Sequence, residues 1–293
     1  MAVLFETKQK TIPLINDFII PPFSYLDTKM KYWKDRRSMW NKYVGDSTET
    51  REGDFGRAYN FQKQSLQKRT STFDPVLVEI MYKWFCPKEN IKILDPFGGE
   101  QTKGVVAGCL GYDYYGIELR QEQVDVNTKL AEKYPSVHYV CGNSVHIDDV
   151  FMNNDFTFLF TSPPYYNLEV YSDGDSDISA KQSYEDFMFD LTRIFIGCYR
   201  LMQNNTFAVI KVGELRKDNG SYYGFVPDFI RMMVQCGWQY YNEIILLNDI
   251  GSAQLRAAGN MKSRKIVKLH QNILVFYKGD MSKIKYNYKE LRE

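Results

Sequence analysis

From residue 75 onward, apolar and polar positions follow two alternating rhythms. Short apolar, β-favouring runs are separated by longer stretches with an apolar residue every three or four positions. The runs predict strands at Ile91–Leu94, Tyr114–Ile117, Val137–Ser144, Asp155–Phe160, Thr206–Val212, Trp238–Leu247 and Ile273–Tyr277. The longer stretches predict helices at Pro75–Phe85, Gly104–Leu110, Gln121–Tyr134, Ser183–Met202 and Pro227–Gln235. Ser71 or Thr72 caps the first helix, Pro75 fits its first turn, and Gly237 closes the last. Strands that alternate with helices imply right-handed crossovers and a mostly parallel sheet covered on both faces. The expected fold class is therefore α/β, with the last two strands forming a hairpin-like edge.

Residues 1–60 lack such a rhythm and read as an N-terminal extension to a single domain over 61–293. Pro13, Pro21 and Pro22 interrupt the extension, and Lys29–Tyr43 interleaves basic and aromatic residues. Two readings of that segment stand side by side. One is an arm for phosphates and unpaired bases; the other is a solvated helix whose Trp33 and Trp40 pack on the domain.

A chain of 293 residues with 44% hydrophobic and 25% charged residues is that of an ordinary globular protein. The net charge of +1 gives no global basic signal, so any nucleic-acid face must be local. The strongest local excess lies in 251–270, where Arg256, Lys262, Arg264, Lys265 and Lys268 occur without an acidic residue. The five cysteines form no C-x-x-C pair, which points to small buried thiols in a reducing compartment. Neither a metal site nor a membrane segment is indicated, and a cytoplasmic location is expected.

Three stretches carry candidate chemistry. Asp155–Phe160 leads into Thr161-Ser162-Pro163-Pro164-Tyr165, where two prolines end the strand for want of N–H donors. An exocyclic amine on a nucleobase is a poor nucleophile because its lone pair is delocalised into the ring. The Ser162 hydroxyl and the Pro163 carbonyl suit the two amine hydrogens, and the Tyr165 ring suits a base swung out of a helix. Asp95-Pro96-Phe97-Gly98-Gly99 is a strand followed by a glycine turn that permits close approach to a ligand. Glu118 ends the next strand, where a carboxylate accepts two ribose hydroxyls. Asn143 or Ser144 ends the strand after that, within reach of an adenine edge.

These residues, in this order and spacing, resemble the amino-methylating DNA methyltransferases over roughly residues 60–280. Asp95–Gly99 resembles the cofactor glycine motif, Ile117-Glu118 the ribose-binding position, and Gly142-Asn143-Ser144 the adenine turn. Ser162–Tyr165 is similar to the catalytic tetrapeptide, and Lys268–Phe276 to the last-strand pattern. Thr72–Pro75 is similar to the segment that closes over the methionine end of the cofactor.

The resemblance implies a Rossmann-like, S-adenosylmethionine-dependent methyltransferase fold with seven strands, the last antiparallel. It implies S-adenosylmethionine contacts from Phe73, Asp74, Asp95, Phe97, Gly99, Gln101, Thr102, Glu118, Asn143 and Ser144. Catalysis is implied for Ser162, Pro163, Pro164 and Tyr165. DNA is the implied partner, met through loops 166–182, 213–224 and 248–269. Serine at the head of the tetrapeptide resembles the cytosine-N4 branch; adenine N6 is the alternative, and a catalytically weak DNA-binding protein is another. Gln101 departs from the pattern by standing where the family has a second glycine.

Overall fold

The computed structural model describes residues 18–44, 73–167, 177–251 and 253–288. Its strands are β1 (Tyr25–Asp27), β2 (Lys92–Asp95), β3 (Asp113–Glu118), β4 (Val137–Cys141), β5 (Phe156–Thr161), β6 (Met202–Val212), β7 (Gln239–Leu247) and β8 (His270–Lys278). The longer helices are α1 (Lys31–Val44), α2 (Pro75–Phe85), α3 (Thr102–Leu110), α4 (Gln121–Ala131), α5 (Tyr184–Leu201), α6 (Phe225–Gln235) and α7 (Ala253–Met261).

All eight strands form one sheet in the order β1-β7-β8-β6-β5-β2-β3-β4, and only β8 runs antiparallel to its neighbours. β5 is buried along its whole length, because a central strand covered on both faces has no solvent side. From β2 the chain steps outward to β3 and β4, then returns to β5 and steps the other way to β6. The order therefore reverses between β2 and β5, and a crevice opens beyond the carboxyl ends of those strands.

Two apolar layers cover the sheet. One packs α2 and α3, with Trp33, Trp40 and Val44 of α1, against Phe158, Phe160 and Val209. The other packs α5 and α6 against Leu94, Leu159, Ala208 and Phe276.

Three expectations are corrected. The sheet has eight strands instead of seven: β1 lies in the supposed extension and pairs with β7, leaving β7 off the edge. Three residues are too short a run to register as a rhythm. Within 248–269 lies helix α7, where charge had masked the good helix formers Ala253, Gln254, Leu255, Arg256 and Met261. As expected, the strand begun at Val137 ends in a polar turn: β4 stops at Cys141 and the Asn143 side chain caps the turn at Val145. Of the thiols, Cys109 and Cys141 are exposed, Cys141 because it ends the outermost strand β4. Thr72 and much of loop 166–182 lie outside the described residues.

Candidate active site

A cleft opens at the switch point. Four strand ends contribute to it: Phe97 and Gly99 after β2, Glu118 at the end of β3, Asn143 and Ser144 after β4, and Ser162 and Pro164 after β5. Seven of the residues singled out in the sequence thus meet in one hollow. Pro96, Ile117, Leu119, Gly142, Asp177, Ile178 and Ile194 complete its lining. The apolar ones among them had no chemical signature in the sequence, since a wall residue looks like any core residue.

The glycine turn is held by its own backbone. Gly98 donates to the Ile117 carbonyl at 2.6 Å. A Cβ at Gly98 would lie 3.0 Å from that oxygen. Gly99 takes a φ of +58°, which favours glycine, and its carbonyl accepts from Asn127 at 2.8 Å. Glu118 accepts from the Arg120 backbone at 3.0 Å and from its guanidinium at 3.2 Å, both at Oε1. Its Oε2 has no protein partner among the described residues, so one face of the carboxylate is available to hydroxyl donors. The Ser144 hydroxyl donates to the Pro96 carbonyl, tying the third strand end to the first.

Asp95 is fully buried beneath the cleft and does not line it. Its carboxylate accepts from Tyr114 and Thr161, each at 2.6 Å, and pairs with Lys103 at 2.5 Å. Asp95 therefore ties β2 to β5 directly below Ser162. Burial, and secondarily the Asp95 charge, push the Tyr114 hydroxyl well above its ordinary pKa, so it remains a donor. Lys103 also donates to the Phe97 carbonyl at 2.9 Å. This lysine stands in the first turn of α3, just past the glycine motif, and no spacing rule marked it.

Phe73, Asp74, Gln101 and Thr102 likewise lie off the cleft lining. Phe73 packs edge-on against Phe160, with the Lys211 ammonium 4.4 Å and the Lys103 ammonium 5.2 Å from its ring centre. Asp74 caps α2 at Val76 and accepts from the Trp33 indole at 2.9 Å, with Arg37 paired to the same oxygen. Gln101 turns away from the cleft and donates to the Val44 carbonyl at 3.2 Å. Thr102 donates through both backbone and hydroxyl to buried Glu100.

In the tetrapeptide, Ser162 is half-buried and Pro163 buried. Pro163 does not line the cleft, and neither does Tyr165. The Tyr165 hydroxyl accepts from Gln271, the second residue of β8, at 3.0 Å. Gly213 leaves room for it, since a Cβ there would lie 2.9 Å from that hydroxyl. Of the basic residues, Arg256, Lys262 and Arg264 are exposed, while Lys265 and Lys268 are half-buried. Burial lowers the Lys268 pKa. Among the described residues, no helix is long and apolar enough to cross a membrane, and no trio of candidate metal ligands is gathered.

Residues 156–293 match the family model N6_N4_Mtase, described as DNA methylase. Over this segment the chain is similar to the DNA methylases that the model describes. The chain is 32% identical over 108 residues to the type II methyltransferase M.HinfI of Haemophilus influenzae, covering 36% of this chain and 27% of that one. It is 34% identical over 76 residues to a tRNA (guanine(10)-N2)-dimethyltransferase of Pyrococcus abyssi strain GE5 / Orsay, covering 25% and 23%. The matched regions thus span about a quarter of each relative. Among solved structures, the [4+2]-cyclase SpnF superposes with a TM-score of 0.50 at 12% identity, covering 70% of this chain and 82% of that one, a likeness of fold alone.

The cofactor that the resemblance implies is S-adenosylmethionine. The cleft's chemistry fits it: a carboxylate with a free oxygen, a left-handed glycine turn and a side-chain amide at Asn143.

Proposed function

We propose that the chain transfers a methyl group from S-adenosylmethionine to an exocyclic amine of a base in DNA, cytosine N4 above adenine N6. The observation that carries this reading is that Ser162 and Pro164 line the same cleft as Gly99, Glu118 and Asn143. S-adenosylmethionine, when bound, supplies an electrophilic methyl group. Glu118 then holds the ribose hydroxyls, Asn143 and Ser144 face the adenine, and Phe97 forms a wall. Ser162 Oγ accepts one amine hydrogen and the Pro163 carbonyl the other. That pair of hydrogen bonds would draw the nitrogen away from planarity and localise its lone pair; the new N–C bond would replace the S–C bond of the methyl donor, leaving a neutral thioether, and the amine's surplus proton would pass to solvent. Ser162 makes no side-chain hydrogen bond among the described residues, so its oxygen needs no release before it accepts. The Tyr165 ring serves as a stacking platform, steadied by Gln271. Serine at position 162 supports cytosine over adenine.

Expression in a bacterium followed by nucleoside analysis of its DNA tests the reading. N4-methylcytosine is the expected product. N6-methyladenine would overturn the choice of base but not of chemistry. Ser162→Ala should lower turnover about a hundredfold while calorimetry finds S-adenosylmethionine affinity unchanged, and full turnover would remove Ser162 from its role.

A second reading is favoured by the tRNA-modifying relative, which is named for a guanine exocyclic amine. Competition between duplex DNA and tRNA for the same preparation separates the two.

A further inference from the structure

The connection between β7 and β8 rises from the sheet edge that carries the cleft. β7 runs parallel to β1 and β8 antiparallel to β6, so Leu247 and His270 lie at the same end as Thr161. Its far root is tied to the tetrapeptide through Gln271 and Tyr165. Its flank rests on loop 213–224, where the Lys265 side chain packs against Gly220.

The connection carries an unusual surface. Leu255 is 86% exposed and Ile266 74%, and Met261 is also exposed. Only Ala253 of α7 is buried. A single exposed leucine is ordinary. Here the exposed apolar side chains share the β7–β8 connection with Arg256, Lys262 and Arg264, and residues 250–269 contain no acidic side chain. A run of cations without an acidic neighbour matches the regularly spaced charges of a phosphate backbone.

Taking duplex DNA as the substrate, on which this rests, we propose that Leu255 is a wedge entering the base stack as the target base leaves it. A base turned out of a duplex leaves a gap bounded by two apolar base faces. An aliphatic side chain that enters the gap recovers part of the lost stacking and exchanges water contact for base contact. Arg256, on the same helix, and Lys262, just past its end, neutralise phosphates on either side of the gap.

Fluorescence anisotropy on two short duplexes of one sequence, one intact and one with a central abasic site, tests this in the full chain. The wild type should bind the abasic duplex more tightly. Leu255→Ala should lose about tenfold of that preference and bind the intact duplex as before. Leu255→Trp should show indole quenching with the abasic duplex. The side chain is almost fully exposed, so both variants should fold. An unchanged preference in Leu255→Ala, or no preference in the wild type, overturns the wedge alone. Binding of tRNA but of neither duplex overturns the DNA reading and the wedge with it.

Discussion

Gln101 shows how one side chain can escape a motif. Where the family has glycine, its side chain leaves the cleft and caps the carboxyl end of α1 at Val44. Two neighbours yield tests. Glu100 is buried and accepts three hydrogen bonds, from the Phe73 backbone and from Thr102 twice. Burial nevertheless raises its pKa above the ordinary 4.5. The folded chain therefore holds this proton more tightly than the unfolded one. The resulting stability is complete below the ordinary value and declines as pH rises through the raised one. Urea midpoints measured from pH 4.5 upward should fall less steeply for Glu100→Gln than for the wild type; coincident profiles would refute the assignment. Gln271 is the other. Losing one hydrogen bond of about 1 kcal/mol, Gln271→Leu should raise KM for the nucleic acid about fivefold and leave S-adenosylmethionine affinity unchanged by calorimetry.

At the scale of elements, α1 behaves as a clasp. Its Trp33 and Arg37 hold Asp74, while Arg36 and Trp40 hold Glu79 of α2, the Arg36 contacts being 2.5 and 2.6 Å. These are the aromatic and basic residues that the sequence also allowed as a nucleic-acid arm. Their partners are carboxylates of the domain, and both indoles are buried. Arg36→Ala leaves Glu79 buried without its cation and should lower unfolding stability by about 3 kcal/mol. Lys31→Ala breaks an exposed pair with Asp35 and should change it by less than about 0.5 kcal/mol. Equal losses in denaturant titrations would deny the clasp. The helix itself was open to two readings because alternation of basic and aromatic residues reports composition, not the surface that receives them.

Across the whole molecule, near-neutral charge conceals a separation. The acidic residues Asp74, Glu79, Asp95 and Glu100 are turned inward, while Arg256, Lys262 and Arg264 project from the edge that bears the cleft. Each of these three that meets a phosphate should contribute about one to the slope of log affinity against log salt. The triple substitution to alanine should therefore flatten that slope by up to about three, as read by anisotropy over a salt series. An unchanged slope would place the nucleic acid elsewhere.

The alternation of strand and helix, the buried β5 run, the proline stop and the glycine turn were all legible along the chain. Each arises from neighbours in sequence: periodicity, a missing N–H, a missing Cβ. Tertiary structure alone decided what each surface meets. It gathered four strand ends into one cleft, placed β8 between β6 and β7, and brought Gln271 to Tyr165 from 106 residues away. It also turned Asp74, Asp95 and Gln101 to structural contacts beside the cleft. Periodicity tells which side of an element is covered, but not by what, because that depends on the order in which distant strands pair.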